Sequence, residues 1–146
     1  MDELTRAFTA NHKHCDQQFA ELERAAAEAD WGPADILYRQ FRDDLLRHLA
    51  AEEEILFPAF EQVTGNAQGP TRVMCTEHEQ MRELLQEMSQ ALAARDAGAL
   101  PGIAETLLIL MQQHNMKEEQ ILYPMLHEML AESTRREAME KLAHRA

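Results

Sequence analysis

Glycine and proline are scarce in this chain of 146 residues, five of each, and cysteine is scarcer still, with two. So few backbone breakers favour helix throughout, and no alternating strand pattern competes. Basic residues are also in deficit, 14 against 26 acidic ones, for a net charge of -12. That balance excludes nucleic acid and anionic membrane surfaces as partners. No apolar run is long enough to span a bilayer. The N-terminal MDELTRAF lacks a basic region followed by an apolar run, so no signal peptide is expected. Cys15 and Cys75 lie far apart and form no CxxC, which makes a reduced, cytoplasmic chain the simplest reading.

What is present is Ala, Leu, Glu and Met, with 45% hydrophobic residues, enough for one domain over residues 1–146 with a real core. Four long segments carry a helical stripe. The first covers about residues 3–30, with Leu4, Phe8, Cys15, Phe19 and Leu22 on one face. Trp31-Gly32-Pro33 interrupts it, and Pro33 is suited to open the next helix. The second segment carries Phe41, Leu45, Leu49 and Leu56, ends near Val63 and is followed by the loop TGNAQGP at 64–70. The third, about 71–95, aligns Met74, Met81, Leu85, Met88 and Leu92. After DAGALPG, the fourth runs to about Met129 and includes Leu107, Leu110 and Met111. A last helix, about 134–143, has a capping-box start in Thr134-x-x-Glu137. Short connections make successive helices antiparallel neighbours. The expected fold is therefore all-α: an up-down-up-down four-helix bundle over about 3–129, with an extra C-terminal helix on its outside.

Histidines interrupt the stripes. His12 falls between Phe8 and Cys15 and points inward, while His14 lies ~200° further round on a polar face. His48 follows Leu45, with Glu52 one turn on; His114 follows Met111, with Glu118 one turn on. His78 lies between Met74 and Met81, and His127 and His144 fall outside the arrangement. His12 and His78 are 66 residues apart, and so are His48 and His114, Glu52 and Glu118, and Pro58 and Pro124. The strings HLAAEEEILFP and HNMKEEQILYP repeat at the same offset. The pattern is a duplicated helical hairpin with approximate two-fold symmetry.

A lone histidine on an apolar face is usually a hydrogen-bonded core residue. Four imidazoles and two carboxylates in one bundle interior are different, because unpaired buried carboxylates cost several kcal/mol each. Arg82 is the single cation on these stripes that could neutralise them. Bound metal cations resolve the conflict. Six ligands with two carboxylates are too many for one tetrahedral zinc. Two ions bridged by Glu52 and Glu118, each with about two imidazoles, fit better; non-heme iron suits the donors, with manganese and zinc as alternatives. Glu-x-x-His pairs and HExxH are absent from these positions.

The sequence resembles the hemerythrin-like family of cation-binding HHE domains over about residues 3–129. The resemblance rests on NHKHCD around His12, TEHEQM around His78 and the doubled HxxxEE string ending in aromatic-Pro. It implies a di-iron centre with an oxo or hydroxo bridge, held by His12, His48, Glu52, His78, His114 and Glu118. Oxygen-carrying members place HxxxH on the third helix and an Asp after the last His. Here Met74 and Arg82 flank His78, and position 118 is Glu. The pattern is closer to bacterial proteins of iron-centre repair and of nitric-oxide or oxidant defence, which usually carry an additional N-terminal cysteine-containing domain. The expected role is to bind or reduce O2, NO or peroxide under oxidative or nitrosative stress. The alternatives are iron sensing or delivery without turnover, and reversible O2 storage. No protein partner is indicated.

Lesser features have plain expectations. Pro58 and Pro124 imply a shared bend or helix end just past each ligand Glu. Glu53 and Glu119 lie ~140° round from the inward histidines and are read as surface residues ahead of supports for the ligands. Cys15 and Cys75 are read as packing, Tyr38 as too far along its helix to ligate, and Trp31 as a cap over one end of the core.

Overall fold

The structure is a computed structural model that describes residues 1–144. Its helices are α1 (Glu3–Ala27), α2 (Trp31–Ala51), α3 (Phe57–Thr64), α4 (Pro70–Ala93), α5 (Leu100–Lys117), α6 (Tyr123–Met129) and α7 (Glu132–Ala143), with no strand among the described residues. A π-helical turn over Glu52–Leu56 joins α2 to α3, and a second over Glu118–Leu122 joins α5 to α6. The bundle is therefore α1, the α2–α3 rod, α4 and the α5–α6 rod. α7 packs outside it, against α1, α2 and the first π turn.

Local chemistry sets the ends. The Asp2 side chain accepts the Thr5 N–H at 2.7 Å and caps α1. At its other end Ala29 is left-handed (φ 56°) and the Asp30 N–H returns to the Ala25 carbonyl at 2.8 Å. The same closure recurs 66 residues on: Arg95 has φ 53°, and the Asp96 N–H reaches the Ala91 carbonyl at 2.9 Å. Gly65 ends α3 in the left-handed conformation, φ 69°, that glycine adopts without strain.

Two expected boundaries move. The break after α1 falls at 28–30, and Trp31-Gly32-Pro33 already belongs to α2. Proline is tolerated there because first-turn N–H groups need no helical partner. The last helix starts at Glu132, with Ala131 as its N-cap and no side-chain cap, so Thr134 and Glu137 form no capping box. Instead Arg135 donates to the carbonyls of His127 and Leu130 and satisfies the exposed end of α6.

The interior is layered. Phe19, Leu22, Phe41, Leu85, Met88 and Leu107 build one apolar layer, to which Trp31 adds its ring under the Arg95 guanidinium. Phe8, Leu56, Phe57, Phe60, Leu122 and Leu126 build the other, where Ala138 and Leu142 of α7 also bury. The buried polar groups His12, His48, Glu52, His78, His114 and Glu118 occupy neither layer. His12 and His78 each lie between residues of the two layers on their own helices, so both layers shield them from water.

Candidate metal centre

The six side chains singled out from the sequence converge. Glu52, Glu118 and His78 are fully buried, and His114, His48 and His12 are 1%, 2% and 5% exposed. They form two overlapping sets of donors, His12–His48–Glu52–Glu118 and Glu52–His78–His114–Glu118, so both carboxylates belong to both halves. The imidazoles face one another in pairs, His12 with His48 at 4.6 Å between ring centres and His78 with His114 at 4.9 Å.

Each imidazole is held from behind. His12 Nδ1 meets Glu119 at 2.7 Å, His48 Nδ1 meets Asn11 Oδ1 at 2.8 Å, His78 Nδ1 meets Glu53 at 2.7 Å and His114 Nδ1 meets Glu77 at 2.7 Å. Ionised carboxylates only accept, so each carboxylate-bound Nδ1 carries a proton, and the amide oxygen of Asn11 asks the same of His48. That leaves Nε2 of all four rings aimed at the centre, the arrangement that orients and strengthens a metal-binding histidine. The four backing residues obey the 66-residue relation too: Asn11 with Glu77, and Glu53 with Glu119.

This corrects the surface reading of Glu53 and Glu119. A long carboxylate on the flank of one rod bridges to the neighbouring helix, and the π turn alters the phase that a uniform 100° per residue assumes. The prolines turn out not to mark a helix end. In each π turn the N–H five residues on closes the bond, Phe57 to the Glu52 carbonyl and Tyr123 to that of Glu118. The wider turn precedes a proline that has no N–H to give, and the rod continues through it.

The π turns also bring in a residue that the sequence reading did not select. Tyr123 is fully buried, with its hydroxyl 2.6 Å from Glu52 Oε2, 2.8 Å from Glu118 Oε1, 3.0 Å from His48 Nε2 and 3.2 Å from His12 Nε2. Its duplicate position is Phe57, stacked on His78 at 5.8 Å between ring centres. The aromatic of each repeated string was the available signal; i→i+5 spacing in a π turn puts it on the face of the inner Glu.

Other residues fall as expected or elsewhere. His14 points away and pairs with the buried Asp44 at 2.9 Å, and Gln18 and Arg47 also reach Asp44. Arg82 does not neutralise the inner carboxylates but forks onto Glu53 at 2.9 and 2.8 Å. Among the described residues no Lys or Arg forms an ion pair with Glu52 or Glu118, whose charged neighbours are histidines alone. Tyr38 donates to the Leu85 carbonyl at 2.6 Å, remote from the centre. Burial, then the Glu53 carboxylate, push the Cys75 thiol up to about 11, so it stays a thiol near neutral pH.

The electrostatics describe a nest of negative charge that wants cations. Burial alone would depress His12 and His78, yet Glu118 and Glu119 in one case, and Glu52 and Glu53 in the other, raise each to about 9. Burial works to raise Glu52, but the His48 charge and the bonds around it hold its carboxyl well below the usual range. Burial, Glu118 and Glu52 together push the Tyr123 hydroxyl well above its ordinary value. Even so, Glu52 Oε1, His78 Nε2, His114 Nε2 and Glu118 Oε2 are buried without a hydrogen-bond partner. His78 Nε2 lies 3.0 Å from Glu52 Oε1 without hydrogen-bond alignment. In the metal-free fold protons on His12 and His78 offset the two carboxylates, and the buried donor atoms left without partners suit a metal cation in place of those protons.

Comparisons with known proteins agree with this chemistry. The family model of the hemerythrin HHE cation binding domain matches residues 3–126. An uncharacterised hemerythrin-like protein of Schizosaccharomyces pombe is 26% identical over 133 residues, 90% of this chain and 63% of its own length. The iron-sulfur cluster repair protein DnrN of Neisseria gonorrhoeae is 34% identical over 85 residues, 55% of this chain and 54% of its own length. The chain thus spans less than two thirds of the length of either relative. No solved structure matches it. No helix among the described residues is long and apolar enough to cross a membrane.

Proposed function

The chain belongs to the hemerythrin HHE cation-binding domain family, and from that membership we propose that it is a non-heme di-iron protein that binds or reduces O2, NO or peroxide in an oxidative or nitrosative stress role. The observation that carries the reading is the convergence of four backed imidazoles on two fully buried carboxylates with orphaned oxygens. His12 and His48 would hold one ion, His78 and His114 the other, with Glu52 and Glu118 spanning both and an oxo or hydroxo group completing the bridge. Two bound irons would supply electrons and exchangeable coordination positions.

The protein's own residues do the rest. Glu53, Glu77, Glu119 and Asn11 keep the rings in one orientation and one tautomer, so little reorganisation accompanies a change of charge at the centre. The apolar layers exclude water and raise the strength of every electrostatic contact inside. A centre no more than 5% exposed at any of the six side chains suits molecules of a few atoms. The four-histidine set leaves more positions open than the five-histidine set of oxygen carriers, which weighs against O2 storage. The test is anaerobic mixing of the reduced, iron-loaded protein with NO and with O2. Rapid optical changes with at least one are expected, and a reduced protein inert to both would refute the reading.

The similarity to an iron-sulfur cluster repair protein supports a second reading, iron sensing or donation without turnover. Fast transfer of iron to a metal-free acceptor, with no catalytic loss of peroxide or NO, would favour it over the first.

A further inference from the structure

We infer that Tyr123 is a fifth side-chain ligand of the ion held by His12 and His48, and that Phe57, at the duplicate position, leaves the His78–His114 ion as the one that receives a small molecule. The inference rests on the di-metal reading above. A hydroxyl has one proton to give. The Tyr123 hydroxyl is within 3.2 Å of four atoms: two carboxylate oxygens, and two ring nitrogens whose partner nitrogens already donate outward. The two carboxylate oxygens are acceptors, so the one hydroxyl proton satisfies one of them and leaves the other facing an oxygen lone pair.

The same distances are natural around a cation. Donors about 2.1 Å from an octahedral ion lie about 3 Å apart when adjacent and about 4.2 Å apart when opposite. Tyr123 Oη is 2.6–3.2 Å from all four neighbours, His12 Nε2 is 3.1 Å from Glu118 Oε1, and His48 Nε2 is 3.2 Å from Glu52 Oε2. His48 Nε2 and Glu118 Oε1, at 4.0 Å, are spaced as an opposite pair. Ligation forms an oxygen–metal bond, breaks the phenol O–H bond heterolytically and releases the proton to solvent, as ligand deprotonation requires. In the other half the phenylalanine ring offers no donor. Of the six inner side chains, the buried atoms without hydrogen-bond partners include both Nε2 atoms of that half, His78 and His114, and neither of the Tyr123 half.

Two measurements test this. Ferric protein carrying two irons is expected to show a phenolate-to-iron charge-transfer band in the visible, with tyrosinate modes in resonance Raman. Tyr38→Phe should keep both signals and Tyr123→Phe should lose them per iron bound; the chain's two tyrosines make the assignment clean. Anaerobic titration of the reduced wild type should bind one NO per chain. Wild-type protein holding two irons with no phenolate signal, or binding two NO with equal ease, overturns the inference and leaves the metal reading standing. A protein that takes up no iron overturns both. The wild-type and Tyr38→Phe measurements decide the matter even if Tyr123→Phe does not fold.

Discussion

The hairpin of α1–α3 and the hairpin of α4–α6 agree in the features that present ligands and differ in those that surround them. Inward histidines, the buried glutamates, both π turns and even the left-handed Ala29 and Arg95 repeat at one offset. Around them Asn11 answers to Glu77, Phe57 to Tyr123 and Asp16 to Arg82. In the second hairpin Lys117 neutralises Glu77 at 2.5 Å, while in the first a neutral amide does the same task. Arg82 pairs with Glu53, which is held at about 2 because the His78 and Arg82 bonds outweigh its burial. At the duplicate position Asp16 faces Glu119, and burial, then that like charge, raise it. The comparison teaches that ligand geometry tolerates little drift, whereas charge and hydrogen bonding one shell out are free to diverge and make two equivalent halves unequal.

The largest expected effect tests the shared part. His12→Ala and His78→Ala should each lower bound iron by more than about 100-fold under chelator competition, since losing an inner donor exceeds the 10- to 100-fold loss typical of an outer one. His14→Ala should leave iron content unchanged, because His14 turns to Asp44. Elemental analysis of the purified variants decides it, and a reversed result would break the symmetry argument.

Next comes pH. His12 and His78 are raised from 6.5 to about 9 in the metal-free fold, so their stabilisation is complete below about 6.5 and is lost as pH climbs through about 9. The thermal midpoint of chelator-treated protein should fall over that window. Iron-loaded protein should hold a flatter profile, because the metal takes the place of those protons.

The outer shells separate the halves. Glu77→Ala should weaken iron binding by about 10- to 100-fold, and Asn11→Ala by less, because a carboxylate backs an imidazole more strongly than an amide does. Equal losses would deny that the shells differ. The smallest effect concerns the flanks. Arg82→Ala should destabilise the metal-free protein by about 1 kcal/mol, a value limited by exposure of the pair. Asp16→Ala should leave stability unchanged or raise it slightly, read by denaturant midpoint.

Much of this was legible in the chain. Apolar residues at helical spacing located all four bundle helices, since burial of a stripe is what makes such helices stable. Six polar residues inside those stripes, related by one offset, pointed to a common centre before any geometry was known. What escaped notice depends on departures from ideal helix. A π turn has no compositional signature beyond a proline following it, so Tyr123 lay off the stripe at 100° per residue and Glu53 and Glu119 were read as outside. Thr134 and Glu137 had the spacing of a cap, but Arg135 bonding to the end of α6 let α7 begin two residues earlier.

The central claim, that two cations compensate this buried nest of imidazoles and carboxylates, is tested most directly by iron stoichiometry. Protein reconstituted with ferrous iron, desalted and oxidised should retain two irons per chain, absorb in the near ultraviolet and melt at a higher temperature than its metal-free form. A chain that emerges without iron and melts at an unchanged temperature would contradict it.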